Sequence, residues 1–221
     1  MDVFLVDDQP IITYALEDIL TKHFVGALRV DKASSCAQML DRLAVNHYDL
    51  LVLDLSIAGP GYGLSLLRAV RNQAPDLHVM VFSGNASAFL ALAVLNQGAC
   101  AYVCKSSGTE RVVGALLTIE LGFPYCDPSV NLHCAQRHPW HSLSGIEQHV
   151  MLSLARGECL KVVATRSYRS YKTIAAHKYN SLNKLGLDSG AQLVSYLTAE
   201  GLDFLLNEPP PPAVPVFSEC S

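Results

Sequence analysis

The segment Leu50-Leu51-Val52-Leu53-Asp54 decides the fold, because four consecutive apolar residues end in a carboxylate. Such an unbroken apolar run is typical of a parallel strand buried on both faces. Similar runs alternate with amphipathic segments through residues 1–124. We predict strands at 3–6, 28–32, 50–54, 79–83 and 101–104, and helices at 10–23, 35–46, 62–73, 86–97 and 108–121. The alternation predicts an α/β fold with a doubly wound, five-stranded parallel sheet over residues 1–122.

The pattern changes after Gly122. Residues 123–142 are rich in Pro, His, Asn and Cys, which predicts an interdomain linker. Residues 143–200 show helical periodicity without strand signals, so a second, smaller all-α domain is expected, with helices at 144–156, 159–166, 170–185 and 189–199. Residues 201–221 contain four consecutive prolines, 209–212, and are predicted to form a disordered tail.

Charge is distributed unevenly between the two halves. Residues 1–124 hold eight Lys/Arg against twelve Asp/Glu, whereas residues 143–198 hold seven against three. The basic half suits a polyanion such as DNA. The N-terminus lacks a signal-peptide pattern and the apolar runs are too short to span a membrane, so a cytoplasmic location is expected.

The seven cysteines follow no repeated spacing, and reduced thiols are expected rather than a disulfide framework. A zinc site would need several soft or borderline ligands close together. The linker offers five, but their spacing matches no compact zinc site: Cys126, His133, Cys134, His138 and His141.

Polar residues follow four of the predicted strands. Asp7 and Asp8 follow the first, Asp54 ends the third, Ser83 ends the fourth and Lys105 follows the fifth. The carboxyl ends of parallel strands meet at one edge of the sheet, so these side chains are expected to form one site. Clustered carboxylates favour Mg²⁺, and we predict as metal ligands Asp7, Asp8, Asp54 and the backbone carbonyl near Ser56.

Asp54 is the predicted phosphoacceptor. A carboxylate can accept a phosphoryl group when a metal and a lysine neutralise the developing charge. Lys105 and Ser83 are the predicted contacts to the phosphate oxygens.

Four motifs together resemble the flavodoxin-like receiver domain of two-component response regulators: Val6-Asp7-Asp8-Gln9-Pro10, Leu51-Val52-Leu53-Asp54-Leu55, Phe82-Ser83-Gly84 and Ala101-Tyr102-Val103-Cys104-Lys105. The resemblance implies that Tyr102 is the aromatic residue whose inward or outward position accompanies phosphorylation. One stretch departs from the receiver pattern. Residues 57–63 are one residue longer than usual, and Ala58 replaces the usual proline.

Residues 143–198 resemble the DNA-binding domain of the LuxR/NarL/FixJ type, a helix-turn-helix. The resemblance is carried by Leu143-Ser144, Glu147, Val150, Leu152, Ala155-Arg156-Gly157, Ala164, Ser170, Lys172-Thr173-Ile174, His177 and Lys184-Leu185-Gly186. The run 172–178 with 184–186 is most similar to the enterobacterial branch that regulates capsule and surface structures. Members of that branch often pair with a different regulator.

The predicted recognition helix is 170–185, with Ser170 as its N-cap. Ile174, Leu182 and Leu185 are expected to form its buried stripe, and Tyr179 to face the DNA. The predicted phosphate contacts are Lys161, Arg166, Arg169 and Lys184. The remaining predicted DNA-binding residues are Ser170, Tyr171, Lys172, Thr173, Ala175, His177 and Lys178.

These features predict a transcriptional regulator rather than an enzyme, controlled by phosphorylation of Asp54 and acting as a dimer on promoter DNA. The resemblance implies a sensor histidine kinase as a partner. A first alternative is a regulator that works without phosphorylation, through heterodimerisation with another response regulator. A second is a phosphotransfer enzyme, such as a hydrolase using Asp54, although the basic helical domain argues against it.

Overall fold

The structure is a computed structural model that describes residues 1–24, 26–57 and 63–207. It divides into two compact units, Met1–Ala135 and Gln136–Ser221. None of the helices in these described ranges is long and apolar enough to cross a membrane.

The first unit is built on one parallel sheet. Its strands are β1 Asp2–Val6, β2 Arg29–Ala33, β3 Leu50–Leu53, β4 His78–Ser83, β5 Ala101–Cys104 and β6 Tyr125–Cys126. Their spatial order is β2-β1-β3-β4-β5-β6. The order reverses between β1 and β3, and the crevice beyond the carboxyl ends of these strands is where this type of sheet places its functional site.

The sheet has six strands, one more than the five predicted. The sixth strand is only two residues long and pairs in parallel with β5, Tyr125 with Ala101 and Cys126 with Tyr102. A two-residue strand is too short to show an apolar pattern in the sequence. Part of the segment expected to be a linker therefore belongs to the sheet.

The five helices that alternate with the strands are α1 Pro10–His23, α2 Cys36–Val45, α3 Leu64–Gln73, α4 Ala88–Asn96 and α5 Thr109–Glu120. Local sequence explains several starts. Pro10 occupies the first turn of α1, and Ser35 and Ser87 cap α2 and α4 with their hydroxyls. A short helix, α6 Leu132–Gln136, follows β6.

Strands β1, β3, β4 and β5 are almost wholly buried, which explains their continuous apolar sequences. On one face of the sheet, Val3, Leu5, Val52 and Met80 pack with residues of α1 and α5. The core thus fixes the strand ends from which the polar residues project.

The second unit is helical: α7 Gly145–Ala155, α8 Leu160–Arg166, α9 Tyr171–Leu185 and α10 Leu193–Ala199. Helix α7 begins with a capping box in which Ser144 and Glu147 satisfy each other's backbone N–H groups. The turn between α8 and α9 contains Tyr168 with a φ of 52°. Helix α9 ends at Gly186, whose left-handed φ of 68° suits glycine.

The segment predicted to be a tail begins with ordered structure. Asp203–Leu206 forms a 3₁₀ helix, and the Arg156 guanidinium donates to the carbonyls of Leu205 and Leu206 at 2.8 and 2.9 Å. These contacts join residues far apart in the sequence and could not be read from local pattern. The prolines at 209–212 lie outside the described residues.

Candidate functional site

Three carboxylates meet where the carboxyl ends of β1 and β3 lie side by side. An oxygen from each of Asp7, Asp8 and Asp54 lies within 4.8 Å of the others. Asp7 and Asp54 are only 4% and 2% exposed, whereas Asp8 is exposed. The parallel pairing of Val6 with Leu53 places the two buried aspartates beside each other. We call this cluster, together with Lys105, the acidic pocket.

Backbone N–H groups hold the two buried carboxylates in place. The Gln9 N–H donates to Asp7 Oδ1 at 2.9 Å, and the Ser56 N–H donates to Asp54 Oδ1 at 3.0 Å. Each bond spans two residues and is typical of an aspartate in a turn after a strand. The second oxygen of each carboxylate remains directed toward Lys105.

Lys105 follows β5 and closes the pocket. Its ammonium lies 2.6 Å from Asp7 Oδ2 and 2.9 Å from Asp54 Oδ2, and its side chain is 13% exposed. Burial lowers the pKa of Lys105, but its hydrogen bonds to both carboxylates outweigh burial and raise that pKa above its ordinary value. Lys105 therefore stays charged among the carboxylates.

The pKa of Asp7 in the same pocket is set mainly by burial. Burial raises the pKa of Asp7, and the nearby charge of Asp54 adds to that rise, although Lys105 and the Gln9 N–H act against it. The ionised form of Asp7 is thus held at a cost, which a further cation would reduce.

The donor set of the pocket fits Mg²⁺. Three carboxylates offer only oxygen, one of them reaches solvent, and hard cations with several waters take such ligands. Among the described residues, no other group of three acidic, His or Cys side chains brings its ligand atoms this close together. Ser56 is exposed, and its carbonyl remains a predicted ligand.

Ser83 and Tyr102 meet at one residue of the loop after β4. The buried Ser83 hydroxyl accepts the Asn85 N–H at 3.1 Å, and the Tyr102 hydroxyl donates to the Asn85 carbonyl. The Tyr102 ring points inward with no exposed surface, and burial raises the pKa of its hydroxyl. A displacement of the Ser83 hydroxyl would therefore shift Asn85, and with it the carbonyl that accepts the Tyr102 hydroxyl.

The unusual loop after Asp54 can be followed only in part. Ile57 is buried and Gly63 donates its N–H to the Leu55 carbonyl at 3.1 Å. Residues 58–62, which carry the departure from the receiver pattern, lie outside the described residues.

Sequence reasoning missed Asp127. This aspartate follows β6, has no exposed surface and accepts four hydrogen bonds. The Asp127-Pro128 dipeptide reads as a turn, so the sequence pointed to a local role only.

The second unit presents a polar helix face. The Ser170 hydroxyl caps α9 by accepting the Thr173 N–H at 3.1 Å, and Ile174, Leu182 and Leu185 are buried. The remaining predicted DNA-binding residues fall into two groups. Exposed are Lys161, Arg169, Ser170, Tyr171 and Lys172; partly exposed are Thr173, Ala175, His177 and Lys178.

Two predicted phosphate contacts have partners inside the domain. Lys184 lies 2.7 Å from Glu147 Oε2 and also donates to the Ser142 carbonyl, so it ties α9 to the start of α7. Arg166 lies 2.7 Å from Glu158 and donates to the buried Ser153 hydroxyl. Both side chains therefore support the domain in addition to carrying charge.

An acidic pocket at the switch point of a parallel sheet, followed in the chain by a helix-turn-helix unit, defines a two-domain regulatory protein. Comparisons with known proteins agree. Residues 3–117 match the response regulator receiver domain, and residues 141–197 match the bacterial regulatory proteins of the luxR family.

Relatives are similar along nearly the whole chain. Fimbriae Z protein of Salmonella typhimurium is 28% identical over 90% of this chain and 97% of its own length. Transcriptional activator protein ExaE of Pseudomonas putida is 29% identical over 91% of this chain and 98% of its own length. The solved structure of two RcsB dimers bound to two parallel DNAs matches with a TM-score of 0.65 at 25% identity, covering 90% of this chain and 98% of that one.

The chain belongs to the response regulators that join a receiver domain to a LuxR-type DNA-binding domain. Transcriptional regulatory protein RcsB of Escherichia coli is among its relatives, at 26% identity over 90% of this chain and 94% of its own length. ExaE and NreC of Staphylococcus carnosus share 29% and 26% with the chain, so similarity extends over the wider family.

Proposed function

We propose that the protein is a transcriptional regulator in which phosphorylation of Asp54 controls DNA binding by the 170–185 recognition helix. The observation that carries the proposal is the position of Asp54, buried between a lysine and two further carboxylates. An aspartate that only caps a turn does not require a buried lysine and two further carboxylates beside it.

The chemistry follows from the pocket. An oxygen of the Asp54 carboxylate forms a bond to the phosphorus of a phosphohistidine or a small acyl phosphate, and the bond from phosphorus to the donor breaks. Asp7, Asp8 and Asp54 would hold Mg²⁺, with the carbonyl near Ser56, and the bound ion supplies positive charge against the phosphoryl oxygens. Lys105 exchanges its contact with Asp54 Oδ2 for a phosphoryl oxygen.

The switch uses the Asn85 contact. When the Ser83 hydroxyl turns to the phosphoryl group, it gives up the Asn85 N–H, and the loop that also holds the Tyr102 hydroxyl rearranges. The surface around β4 and β5 changes as a result. A change of surface of this kind would favour dimerisation, and two helix-turn-helix domains would then read successive half-sites of promoter DNA.

The partners follow from the same assignment. A receiver domain implies a sensor histidine kinase as phosphodonor, and one solved RcsB structure contains two dimers bound to two parallel DNAs. We infer a homodimer bound to promoter DNA, with the phosphate contacts on Lys161, Arg169 and Lys172.

The direct test is the mass of the full-length protein after incubation with Mg²⁺ and acetyl phosphate. We expect the gain of one phosphoryl group, its loss in Asp54→Ala, and tighter DNA binding only in the phosphorylated protein. Asp49→Ala is the matched control, because Asp49 lies at the opposite edge of the sheet and accepts the Asp2 N–H. Equal phosphorylation of Asp54→Ala and the unaltered protein would refute the assignment.

A second candidate is a regulator that works without phosphorylation and forms heterodimers with another response regulator. The altered sequence Ala58-Gly59-Pro60-Gly61 beside Asp54 favours it. Promoter activity that is unchanged in an Asp54→Ala strain, but lost when a second regulator is deleted, would support this alternative.

A further inference from the structure

Asp127 is a buried carboxylate outside the acidic pocket, with no exposed surface. Among the described residues, four hydrogen-bond donors surround it, and none of these four is a cation. Burial raises the pKa of Asp127, but these donors outweigh burial and lower that pKa below its ordinary value. The side chain is therefore a fixed negative charge held by directed hydrogen bonds.

The two oxygens of Asp127 serve two different segments. Oδ1 accepts the Ser129 N–H at 3.0 Å and the Ser129 hydroxyl at 2.8 Å, so it organises its own turn. Oδ2 accepts the Cys104 N–H at 3.1 Å and the Ser107 hydroxyl at 2.6 Å. Cys104 and Ser107 stand on either side of Lys105.

The main chain strengthens the same connection. The Asp127 N–H donates to the Tyr102 carbonyl at 2.8 Å, which continues the pairing between β5 and β6 one residue beyond Cys126. The Lys105 N–H donates to the Ser83 carbonyl at 2.7 Å on the opposite side. The loop that carries Lys105 is thus fixed to β4 on one side and to Asp127 on the other.

We propose that Asp127 is a positioning residue for phosphorylation, holding the loop of residues 104–107 so that the Lys105 ammonium lies over Asp54. The inference rests on the proposed function, because it concerns how Lys105 is placed for the phosphoryl group. It also makes the segment after α5 part of the phosphorylation machinery rather than only a connection.

An asparagine cannot replace this carboxylate. In either orientation of the amide, its NH₂ group faces a backbone N–H, that of Cys104 or that of Ser129, and two donors then oppose each other. Asp127→Asn should therefore loosen the loop that carries Lys105. A misplacement of about 1 Å at a reacting group can reduce a rate by up to about a hundredfold.

Two serines provide a matched pair for the test. Ser107→Ala and Ser129→Ala each remove one hydroxyl bound to Asp127. Only Ser107 belongs to the Lys105 loop, and the Ser129 hydroxyl reaches that loop only through a weak contact of 3.7 Å with the Cys104 thiol. In the full-length protein we expect phosphorylation by acetyl phosphate to be about tenfold slower in Asp127→Asn and severalfold slower in Ser107→Ala. Ser129→Ala should keep at least half of the original rate.

A second readout separates positioning from loss of folding. Mg²⁺ would be held by Asp7, Asp8 and Asp54, so Mg²⁺ affinity, followed by NMR of the amides of residues 7–9, should be unchanged or tighter in Asp127→Asn. In a Lys105→Ala background, Asp127→Asn should cause no further loss of rate.

The outcomes separate the two proposals. Failure of the unaltered protein to be phosphorylated would remove the proposed function. Normal phosphorylation of the unaltered protein, with equal effects of Ser107→Ala and Ser129→Ala or a parallel loss of Mg²⁺ affinity in Asp127→Asn, would overturn the positioning role alone.

Discussion

The Lys105 ammonium lies 2.6 Å from Asp7 Oδ2, and this ion pair crosses the acidic pocket from β5 to β1. The same ammonium lies 2.9 Å from Asp54, so one cation offsets two buried carboxylates. Removing it leaves both without compensation, which is costly for charges out of water.

We therefore expect Lys105→Met to reduce the free energy of unfolding by about 2 kcal/mol at neutral pH without Mg²⁺. Added Mg²⁺ should restore much of this loss, because it supplies the missing charge. Thermal unfolding with and without Mg²⁺ measures both effects. Lys22→Met is the control, since Lys22 pairs with Asp18 on an exposed helix surface. Equal losses in the two variants would contradict this account.

Asp7→Asn should act in the opposite direction. Its folded-state pKa is raised above the ordinary value of 3.8, so ionised Asp7 opposes folding at neutral pH, and this penalty fades as pH falls through the raised pKa. We expect a higher Tm for Asp7→Asn without Mg²⁺, and a smaller increase of Tm on adding Mg²⁺. A lower Tm in both conditions would show that the lost ion pair with Lys105 dominates instead, since an asparagine oxygen can still accept the Gln9 N–H.

We expect the DNA-binding domain to lose stability in acid through Glu147. Its hydrogen bond from Lys184, helped by Ser144, lowers the pKa of Glu147 below 4.5 despite burial. A depressed folded-state pKa contributes stability above the unfolded value, and that stability is lost as pH falls through the folded value. Below about pH 4.5 the domain should lose about 1 kcal/mol through this group, and Glu147→Gln should flatten this part of the pH profile.

Tyr102→Phe removes only the hydroxyl that donates to the Asn85 carbonyl in the loop after β4. The ring is buried, and the deletion leaves the Asn85 carbonyl without its Tyr102 donor. We expect a loss of about 1 kcal/mol in the free energy of unfolding. Faster hydrogen exchange should be confined to the loop after β4. Unchanged exchange in that loop would show that Tyr102 does not hold it.

We expect the basic side chains of the second unit to have two different roles, contact with DNA and support of the domain. Lys172 is exposed at the start of α9, so Lys172→Ala should weaken DNA binding and reduce the slope of log affinity against log salt by about one unit.

Arg166→Met provides the contrast, because Arg166 pairs with Glu158 and bonds Ser153. This variant should lower the Tm of the DNA-binding domain and leave the salt slope nearly unchanged. Calorimetry and binding across a salt series distinguish the two residues. A full unit of slope lost in Arg166→Met would mean that its guanidinium reaches phosphate.

The pattern of apolar and polar residues was enough for the architecture. Strands such as Leu50–Leu53 are buried on both faces and therefore apolar at every position, and helix starts at Ser35, Ser87 and Ser170 follow from local capping. The alignment of Asp7, Asp54 and Lys105 at one edge also followed, because all parallel strands end on the same side.

What the sequence determined by itself is the class of fold, the helix-turn-helix and the residues of the acidic pocket, since each depends on periodicity or on position at the end of a strand. The tertiary structure alone decided that Tyr125 and Cys126 add a sixth strand, that Lys184 and Arg166 pair within their domain, and that Asp127 binds the Lys105 loop. The physical reason is the separation of the partners along the sequence. These contacts join residues 8 to 37 positions apart through hydrogen bonds and ion pairs, and no local pattern encodes the partner of a side chain at such separations.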